Sequence, residues 1–212
     1  MNKPKIVIID YAVGNLFSVY NTCNSIGYTA TVTSDIKEIL KADAVILPGV
    51  GAFGDAMANL DRLGLIPAIK ESIDSGKPFL GICLGLQLLF TKSFEFGEHA
   101  GLDIIPGSVE RFPEQLNGRN IKVPHIGWNK IDIKKESGTF EHVNSGAYVY
   151  FVHSYYVKPD DSAIVATTTT YQGVPFCSSI EYENVFATQF HPEKSGKAGI
   201  QIYNNWLSSI TN

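Results

Sequence analysis

Cys83 lies between two glycines in a segment that could expose a nucleophilic sulfur. Residues 78–83, an apolar run, predict a buried strand, and residues 84–91 predict the start of a helix. With Gly81 and Gly85 on either side, a strand-to-helix junction can turn sharply and lift the cysteine above the sheet edge. Unpaired N–H groups at the helix start would favour the thiolate. A cysteine in an apolar run can also be a core residue, so a partner base must decide between attack by sulfur and packing.

A base for this sulfur is predicted near the other end of the chain. The run 185–190 predicts a strand, and His191 follows it directly before Pro192, which favours extended backbone and ends strand pairing. Glu193 can fold back to accept the imidazole N–H, fix the tautomer and stabilise the imidazolium. We therefore predict a triad of Cys83, His191 and Glu193, provided that the fold closes the long separation in sequence.

The elements that must position these residues follow an α/β pattern. Strands and helices alternate in the first half, which predicts a mostly parallel sheet with right-handed crossovers and ligands at the carboxyl ends of its strands. The strands are predicted at 5–10, 28–33 and 44–47 and before Cys83, with helices at 14–27, 35–41, 55–63 and 66–75. Later strands are predicted at 108–112, 130–133, 147–153, 163–168, 174–180 and 185–190, and a last helix at 196–208. We expect one domain over residues 1–212: an open, mostly parallel sheet flanked by helices, with a nucleophile elbow and an added antiparallel strand layer.

A glycine-rich loop is predicted at the same edge of the sheet as the elbow. Residues 48–54 read Pro-Gly-Val-Gly-Ala-Phe-Gly and follow the third strand. Glycines would let backbone N–H groups turn inward, as a developing oxyanion requires. The alternative is a plain turn, because glycine-rich loops are common. His125 and His153 are interpreted as structural histidines, since only His191 has a carboxylate at hand.

Composition and charge exclude several other classes of protein. Hydrophobic residues make up 44% of the 212 residues and charged residues 18%, as in an ordinary globular protein. No apolar run approaches the length of a bilayer span and no targeting segment is recognised, so the cytoplasm is favoured. Three cysteines argue against a disulfide framework, and a net charge of −4 with no basic cluster gives little support to nucleic-acid binding. Without zinc-type spacing, a P-loop or a dinucleotide motif, neither a metal nor another cofactor is expected.

Two motifs together resemble the class I (triad) glutamine amidotransferases. These are Gly-Ile-Cys-Leu-Gly-Leu-Gln at 81–87 and Gln-Phe-His-Pro-Glu at 189–193. Residues 10–16, 48–54, 123–129 and 150–156 narrow the match to the branch of the family that serves histidine biosynthesis. The resemblance implies hydrolysis of the glutamine side-chain amide and delivery of ammonia to a separate synthase chain. In that branch the partner is a cyclase subunit with a (β/α)8-barrel fold, which implies a heterodimer.

The resemblance also implies a role for particular residues. The oxyanion site would be formed by Val50, Gly51 and Leu84. The substrate glutamine would be bound by Gln87, Glu95, Ser154 and Tyr155, with Glu95 receiving its α-amino group. The surface that faces the partner would include Val13, Asn15, Trp128 and Lys194. Each substrate residue has a structural alternative, since Gln87 could pack on its helix, Glu95 could be a solvated carboxylate and Tyr155 could be core.

Two departures from the family pattern leave the ammonia acceptor open. Residues 11–18 read Tyr-Ala-Val-Gly-Asn-Leu-Phe-Ser where relatives often have Tyr-Gly-Met-Gly-Asn-Leu-Arg-Ser, and Leu86 replaces a frequent Met. A paralogous glutaminase that feeds a sugar amidotransferase of surface-polysaccharide synthesis therefore stays an alternative. Further alternatives are a γ-glutamyl hydrolase or cysteine peptidase that needs no partner, and a regulatory module with a vestigial triad.

Overall fold

The computed structural model describes residues 4–210. Its strands are β1 (Ile6–Ile9), β2 (Ala30–Thr33), β3 (Ala44–Gly49), β4 (Phe79–Cys83), β5 (Phe90–Ser93), β6 (His99–Ala100), β7 (Ile105–Arg111), β8 (Gln115–Leu116), β9 (Arg119–Asn120), β10 (His125–Lys130), β11 (Asp132–Ile133), β12 (Tyr148–His153), β13 (Tyr155–Pro159), β14 (Val165–Tyr171), β15 (Val174–Tyr182) and β16 (Val185–Thr188). Its helices are α1 (Leu16–Ser25), α2 (Ile36–Leu40), α3 (Phe53–Arg62), α4 (Leu65–Asp74), α5 (Leu84–Leu88) and α6 (Gly196–Ser208). Within residues 4–210, no helix has the length and apolar character needed to cross a membrane.

An eight-stranded sheet forms the centre of the fold, in the order β11-β14-β15-β16-β4-β3-β1-β2. The strands from β16 to β2 pair in parallel, whereas those beyond β16 pair antiparallel. The residues of β1 are all apolar and buried, with Val7 and Ile9 in the hydrophobic core of one face and Ile6 and Ile8 in that of the other. Such strands need cover on both faces, because successive side chains point to opposite sides of the sheet.

Helices supply this cover on both faces of the sheet. On the face of Val7, the helices α2, α3 and α4 contribute Ile39, Leu60 and Ile69 to the core. On the opposite face, α1 and α6 contribute Val19 and Trp206. The predicted fold class, an open and mostly parallel sheet flanked by helices, is confirmed.

The later strands divide between several sheets, so the expectation that all of them form one added layer is wrong. β7 and β13 lie in a separate four-stranded sheet of order β13-β7-β5-β6, and β10 pairs with β12 in a two-stranded sheet. β14, β15 and β16 instead extend the central sheet, where Thr188 of β16 pairs in parallel with Ile82 of β4. The residues of β16 are all buried, which is the pattern of a central strand. An apolar run by itself does not identify its pairing partner.

Two local predictions are also wrong. The helix after Cys83 ends at Leu88 and not at residue 91, because Phe90 begins β5, which pairs with β7. A short apolar run fits a helix and a buried strand equally well, and tertiary pairing decides between them. The strand predicted at residues 130–133 is divided between the end of β10 and the start of β11.

The order of the parallel strands brings distant segments to one edge of the sheet. Gly49, at the end of β3, pairs with Cys83, at the end of β4. On the other side of β4, Thr188 pairs with Ile82, so the segment that follows β16 emerges beside the cysteine. This carboxyl edge is where ligands bind in open α/β sheets.

Candidate active site

Cys83 occupies a sharp turn between β4 and α5. Its backbone has φ 56° and ψ −105°, a conformation that residues with a Cβ atom rarely adopt. Such backbone strain often marks a functional site. A Cβ atom on Gly85 would collide with the carbonyl oxygen of Leu47, and one on Gly81 would lie 3.0 Å from the Cβ of Ala187. The two flanking glycines therefore permit the elbow, as their spacing predicts. Because α5 is only one short turn, its dipole contributes less to the thiolate than a long helix would.

His191 and Glu193 form a buried pair next to this turn. The Nδ1 atom of His191 lies 2.8 Å from Oε1 of Glu193, and their side chains are 2% and 1% exposed. A carboxylate only accepts, so Nδ1 is the donor. Nε2 is buried and has no hydrogen-bond partner among residues 4–210, so it is the ring nitrogen available to the sulfur. Burial by itself lowers the pKa of His191, but the neighbouring Cys83 and Glu193 more than offset it and raise this pKa well above its usual value. The arrangement favours an imidazolium at neutral pH.

The backbone around His191 is held in place by hydrogen bonds to β12 and to Ser195. The His191 N–H donates to the carbonyl oxygen of Tyr150 at 2.9 Å. Ser195 donates its hydroxyl to the His191 carbonyl at 2.6 Å and accepts the Tyr150 N–H at 2.9 Å. Residues 192–194 form a single 3₁₀ turn that begins with Pro192 and returns Glu193 toward the imidazole. The two-residue spacing predicted for the histidine and carboxylate pair is thus realised by a local turn.

A cavity of about 340 Å³ opens beside the elbow. This volume falls within the range of about 300–1,000 Å³ that is common for small-molecule sites. The cavity brings together Cys83 and every residue predicted for the oxyanion site and the substrate: Val50, Gly51, Leu84, Gln87, Glu95, Ser154 and Tyr155. Pro124, Val152 and His153 complete its lining.

The glycine-rich loop is supported from behind by Tyr11, whose importance the sequence did not indicate. The Tyr11 hydroxyl is buried and donates to the carbonyl oxygen of Pro48 at 2.7 Å. Burial, and then the charge of nearby Cys83, raise the pKa of Tyr11, so the hydroxyl stays a neutral donor. A Cβ atom on Gly49 would collide with this hydroxyl. Gly51 has φ +100°, which explains the glycine at that position.

Glu95 connects the cavity wall to α3, the helix that follows the glycine-rich loop. Its Oε2 atom accepts the Phe53 N–H at 2.6 Å. Ala52, at the N-cap of α3, has no side chain that could do so, so Glu95 caps the helix from a distant part of the chain. Burial raises the pKa of Glu95, and the hydrogen bond from Phe53 opposes part of this rise. Its Oε1 atom has no hydrogen bond to any described residue and is available for a ligand.

His125 and His153 are neutral structural histidines, as interpreted from the sequence. Nδ1 of His153 lies 2.8 Å from the carbonyl oxygen of Tyr155, which can only accept. Nε2 of His153 is therefore an acceptor, and it takes its hydrogen bond from Nδ1 of His125 at 3.0 Å. Burial lowers the pKa of His125 to about 4 and that of His153 to about 3. Neither ring is suited to act as the triad base.

The residues predicted to face a partner lie along the same carboxyl edge. Trp128 is 55% exposed. The centroids of the Trp128 and Tyr150 rings lie 6.2 Å apart. The Nζ atom of Lys194 lies over the Tyr150 ring, 5.9 Å from its centroid. Val13 and Asn15 lie between β1 and α1, and α1 contacts the turn that carries Lys194. Val13 is partly buried against the core, so it offers less free surface than Trp128.

Comparison with known proteins identifies the class to which this fold and site belong. The class-I glutamine amidotransferase family matches residues 7–209, and the chain belongs to that family. Within the family, its relatives include HisH subunits of imidazole glycerol phosphate synthase. It is 51% identical to HisH of Geobacter metallireducens, over 96% of this chain and 98% of the relative, and 52% identical to HisH of Aquifex aeolicus, over 95% of each.

Solved structures show the same fold at much lower identity. PurLQS from Thermotoga maritima superposes with a TM-score of 0.74 at 18% identity, covering 98% of this chain and 99% of that one. A glutamine amidotransferase from the same organism gives a TM-score of 0.63 at 17% identity, covering 99% and 86%. At this distance the likeness supports the fold alone.

Proposed function

We propose that this chain is the glutaminase subunit of imidazole glycerol phosphate synthase. It hydrolyses glutamine to glutamate and ammonia and passes the ammonia to a cyclase subunit in histidine biosynthesis. The observation that carries the proposal is the buried His191–Glu193 pair beside Cys83, at the wall of a cavity lined by groups suited to an amino acid. The HisH relatives, at about 50% identity over nearly the whole chain, support the choice of pathway.

The proposed reaction begins with attack of the Cys83 thiolate on the glutamine Cδ. The electron pair of the carbonyl moves to its oxygen, and N–H groups of Val50, Gly51 and Leu84 stabilise the resulting oxyanion. When the tetrahedral intermediate collapses, the C–N bond breaks and His191 gives the Nε2 proton to the leaving ammonia. The product of this half-reaction is a γ-glutamyl thioester.

Water completes the cycle. Nε2 of His191, now neutral, takes a proton from water as it attacks the thioester, and the C–S bond breaks to release glutamate and regenerate the thiolate. Glu193 keeps the imidazole tautomer fixed and stabilises the imidazolium in both halves. The reaction balances as glutamine plus water giving glutamate plus ammonia, and the scheme calls for no cofactor.

The substrate is proposed to lie with its amino-acid end away from the sulfur. The free Oε1 of Glu95 would receive the α-ammonium group, where the charges are complementary. Ser154 and Tyr155 would contact the carboxylate end, and Gln87 would line the path to Cys83. These positions are consistent with a cavity that has Cys83 and Glu95 in one lining.

The proposed partner is a cyclase subunit with a (β/α)8-barrel fold, in a heterodimer that channels ammonia. Its docking surface would include Val13, Asn15, Trp128 and Lys194. Ile126, which is 60% exposed on the same strand as Trp128, adds apolar area that a partner could cover. We also propose that the chain acts as one glutamine amidotransferase domain in the cytoplasm, which its free cysteines support.

The test is to measure glutamate release by the purified chain, alone and with the cyclase subunit and its nucleotide ligand. The proposal expects weak activity alone and strong stimulation by the cyclase. Stimulation only by a sugar amidotransferase would favour the paralogous function. This comparison is included because Phe17, at a position where arginine is frequent, is 73% exposed. Vigorous hydrolysis of γ-glutamyl peptides without any partner would instead identify a hydrolase.

A further inference from the structure

Gln189 is a buried polar residue at the sulfur that the triad mechanism does not use. It follows β16, two residues before His191, and is 0% exposed. Its Nε2 atom lies 3.7 Å from Sγ of Cys83, within hydrogen-bonding distance for sulfur. Gln189 does not line the substrate cavity, so its amide contacts the nucleophile and not the substrate.

The orientation of the Gln189 amide follows from a backbone carbonyl. Gln87 places its Nε2 atom 2.9 Å from the carbonyl oxygen of Tyr155 and 3.0 Å from Oε1 of Gln189. A carbonyl oxygen only accepts hydrogen bonds, so the Gln87 atom must be its amide nitrogen. The Gln189 atom that faces this donor must then be the oxygen. The amide nitrogen of Gln189 is therefore the atom that points at the sulfur.

The Tyr155 carbonyl also orients a second side chain. Nδ1 of His153 donates to the same oxygen at 2.8 Å, so both lone pairs of this carbonyl are used. A reversed Gln87 amide would place oxygen against oxygen. Every member of this buried network except the sulfur thus has its donor and acceptor roles determined.

Cys83 has two polar neighbours, of which one favours the thiol and the other favours the thiolate. Its thiol can donate to the carbonyl oxygen of Val152 at 3.9 Å, a contact that the thiolate cannot make. The N–H of Gln189 can donate to the sulfur and binds the thiolate better, because hydrogen bonds to ions are stronger. The Gln189 amide therefore acts in the same direction as the imidazolium of His191.

We propose that Gln189 is a further group of the active site, which donates an N–H to the Cys83 sulfur and stabilises its thiolate, held in that orientation by Gln87 and the Tyr155 carbonyl. The inference rests on the proposed function only in taking Cys83 as the nucleophile. Gln87 has a positioning role in this scheme, in addition to the substrate contact proposed above.

The test is the rate at which iodoacetamide alkylates Cys83 at pH 7, followed by mass spectrometry of the peptide, without glutamine or a partner. Gln189→Met keeps the length of the side chain but has no N–H, and Gln189→Asn keeps the amide but withdraws it from the sulfur. Loss of a hydrogen bond to an ion predicts alkylation about tenfold slower in both variants. The matched control is Gln172→Met, at an exposed position, which should alkylate Cys83 at the wild-type rate.

Wild-type alkylation rates in both Gln189 variants would overturn the proposal. A misfolded variant is recognised because exposure of Cys23 and Cys177, which are buried in the native chain, would make their alkylation faster. In the complex with a partner, Gln189→Asn should lower kcat and leave KM for glutamine near its wild-type value, since Gln189 does not line the cavity. Alkylation needs neither substrate nor partner, so a chain that lacked glutaminase activity would leave this result unaffected.

Discussion

The carboxylate of Glu95 accepts the Phe53 N–H at 2.6 Å across 42 residues of sequence. One oxygen thereby caps the helix that follows the glycine-rich loop, while the other is available for the ammonium group that the proposed function assigns to it. If glutamine binds at Glu95 as proposed, its binding and the position of the loop that holds Val50 and Gly51 are connected through a single side chain.

Two substitutions at Glu95 should separate these roles. Glu95→Gln keeps an oxygen for the Phe53 N–H but loses the negative charge, so we expect KM for glutamine to rise about tenfold with kcat little changed. Glu95→Ala loses the cap as well, and kcat should also fall, by about tenfold. Steady-state glutaminase assays of both variants in the complex measure the difference. Equal kcat values in the two variants would show that the hydrogen bond to Phe53 has no effect on turnover.

Tyr11→Phe tests the support of the glycine-rich loop. Without the hydroxyl, the buried carbonyl of Pro48 loses its donor, so the free energy of unfolding should decrease by about 1–3 kcal/mol. Urea denaturation measures this decrease, and Tyr20→Phe on the exposed side of α1 is the matched control. A similar small change in both variants would indicate that the Tyr11 hydroxyl contributes nothing to the loop.

Much of the triad could be predicted because its determinants are local. The elbow depends on glycines within two residues of Cys83, and the Glu193 turn lies within two residues of His191. Tyr11 and the cap from Glu95 to Phe53 could not be predicted in the same way, because each joins segments that only the tertiary fold brings together. Tyr11 follows the first predicted strand, but the sequence indicates neither its burial nor its hydrogen-bond partner.

The strand assignments show the same limit. The alternation of strands and helices in the first half was sufficient to predict parallel pairing and the edge at which the site lies. The run 185–190 predicts a strand, but apolar character alone does not specify that this strand pairs with β4 and is buried on both faces. The sequence also predicts a helix at Phe90, which begins β5, because a short apolar run fits either element.

Acid pH should destabilise the fold through the two buried neutral histidines. His125 and His153 have pKa values lowered to about 4 and about 3 from an ordinary 6.5, so the unfolded chain binds more protons than the folded chain below about pH 6.5. These two groups therefore lower the free energy of unfolding as pH decreases through that window, whereas His191, whose pKa is raised, acts in the opposite direction. We expect a loss of about 1–2 kcal/mol per histidine between pH 7 and 5.

Urea denaturation of His125→Gln across this pH range measures the contribution. The variant has one fewer titrating group, so its stability should fall less steeply with acid than that of the wild type. His142→Gln replaces an exposed histidine and should keep the wild-type slope. If His125→Gln also keeps that slope, His125 does not titrate differently in the folded and unfolded chains.

Trp128→Ala tests the proposed docking surface. A half-exposed tryptophan at the centre of an interface is often a hot spot, so the affinity for the cyclase subunit should fall by about tenfold or more. Calorimetric titration measures the affinity, and Ile36→Ala, at an exposed apolar residue of α2, should leave it unchanged. Equal affinities for both variants would place the partner on another surface.

The central claim is that Cys83 forms a covalent bond with the substrate. The complex is incubated with glutamine that carries a radioactive carbon chain, quenched in acid and digested, and each peptide is then assayed for label. We predict label on the peptide that contains Cys83, as a γ-glutamyl thioester, and neither label nor glutamate release in a Cys83→Ala variant that still binds the partner. Turnover by Cys83→Ala, or label on a different residue, would contradict the account.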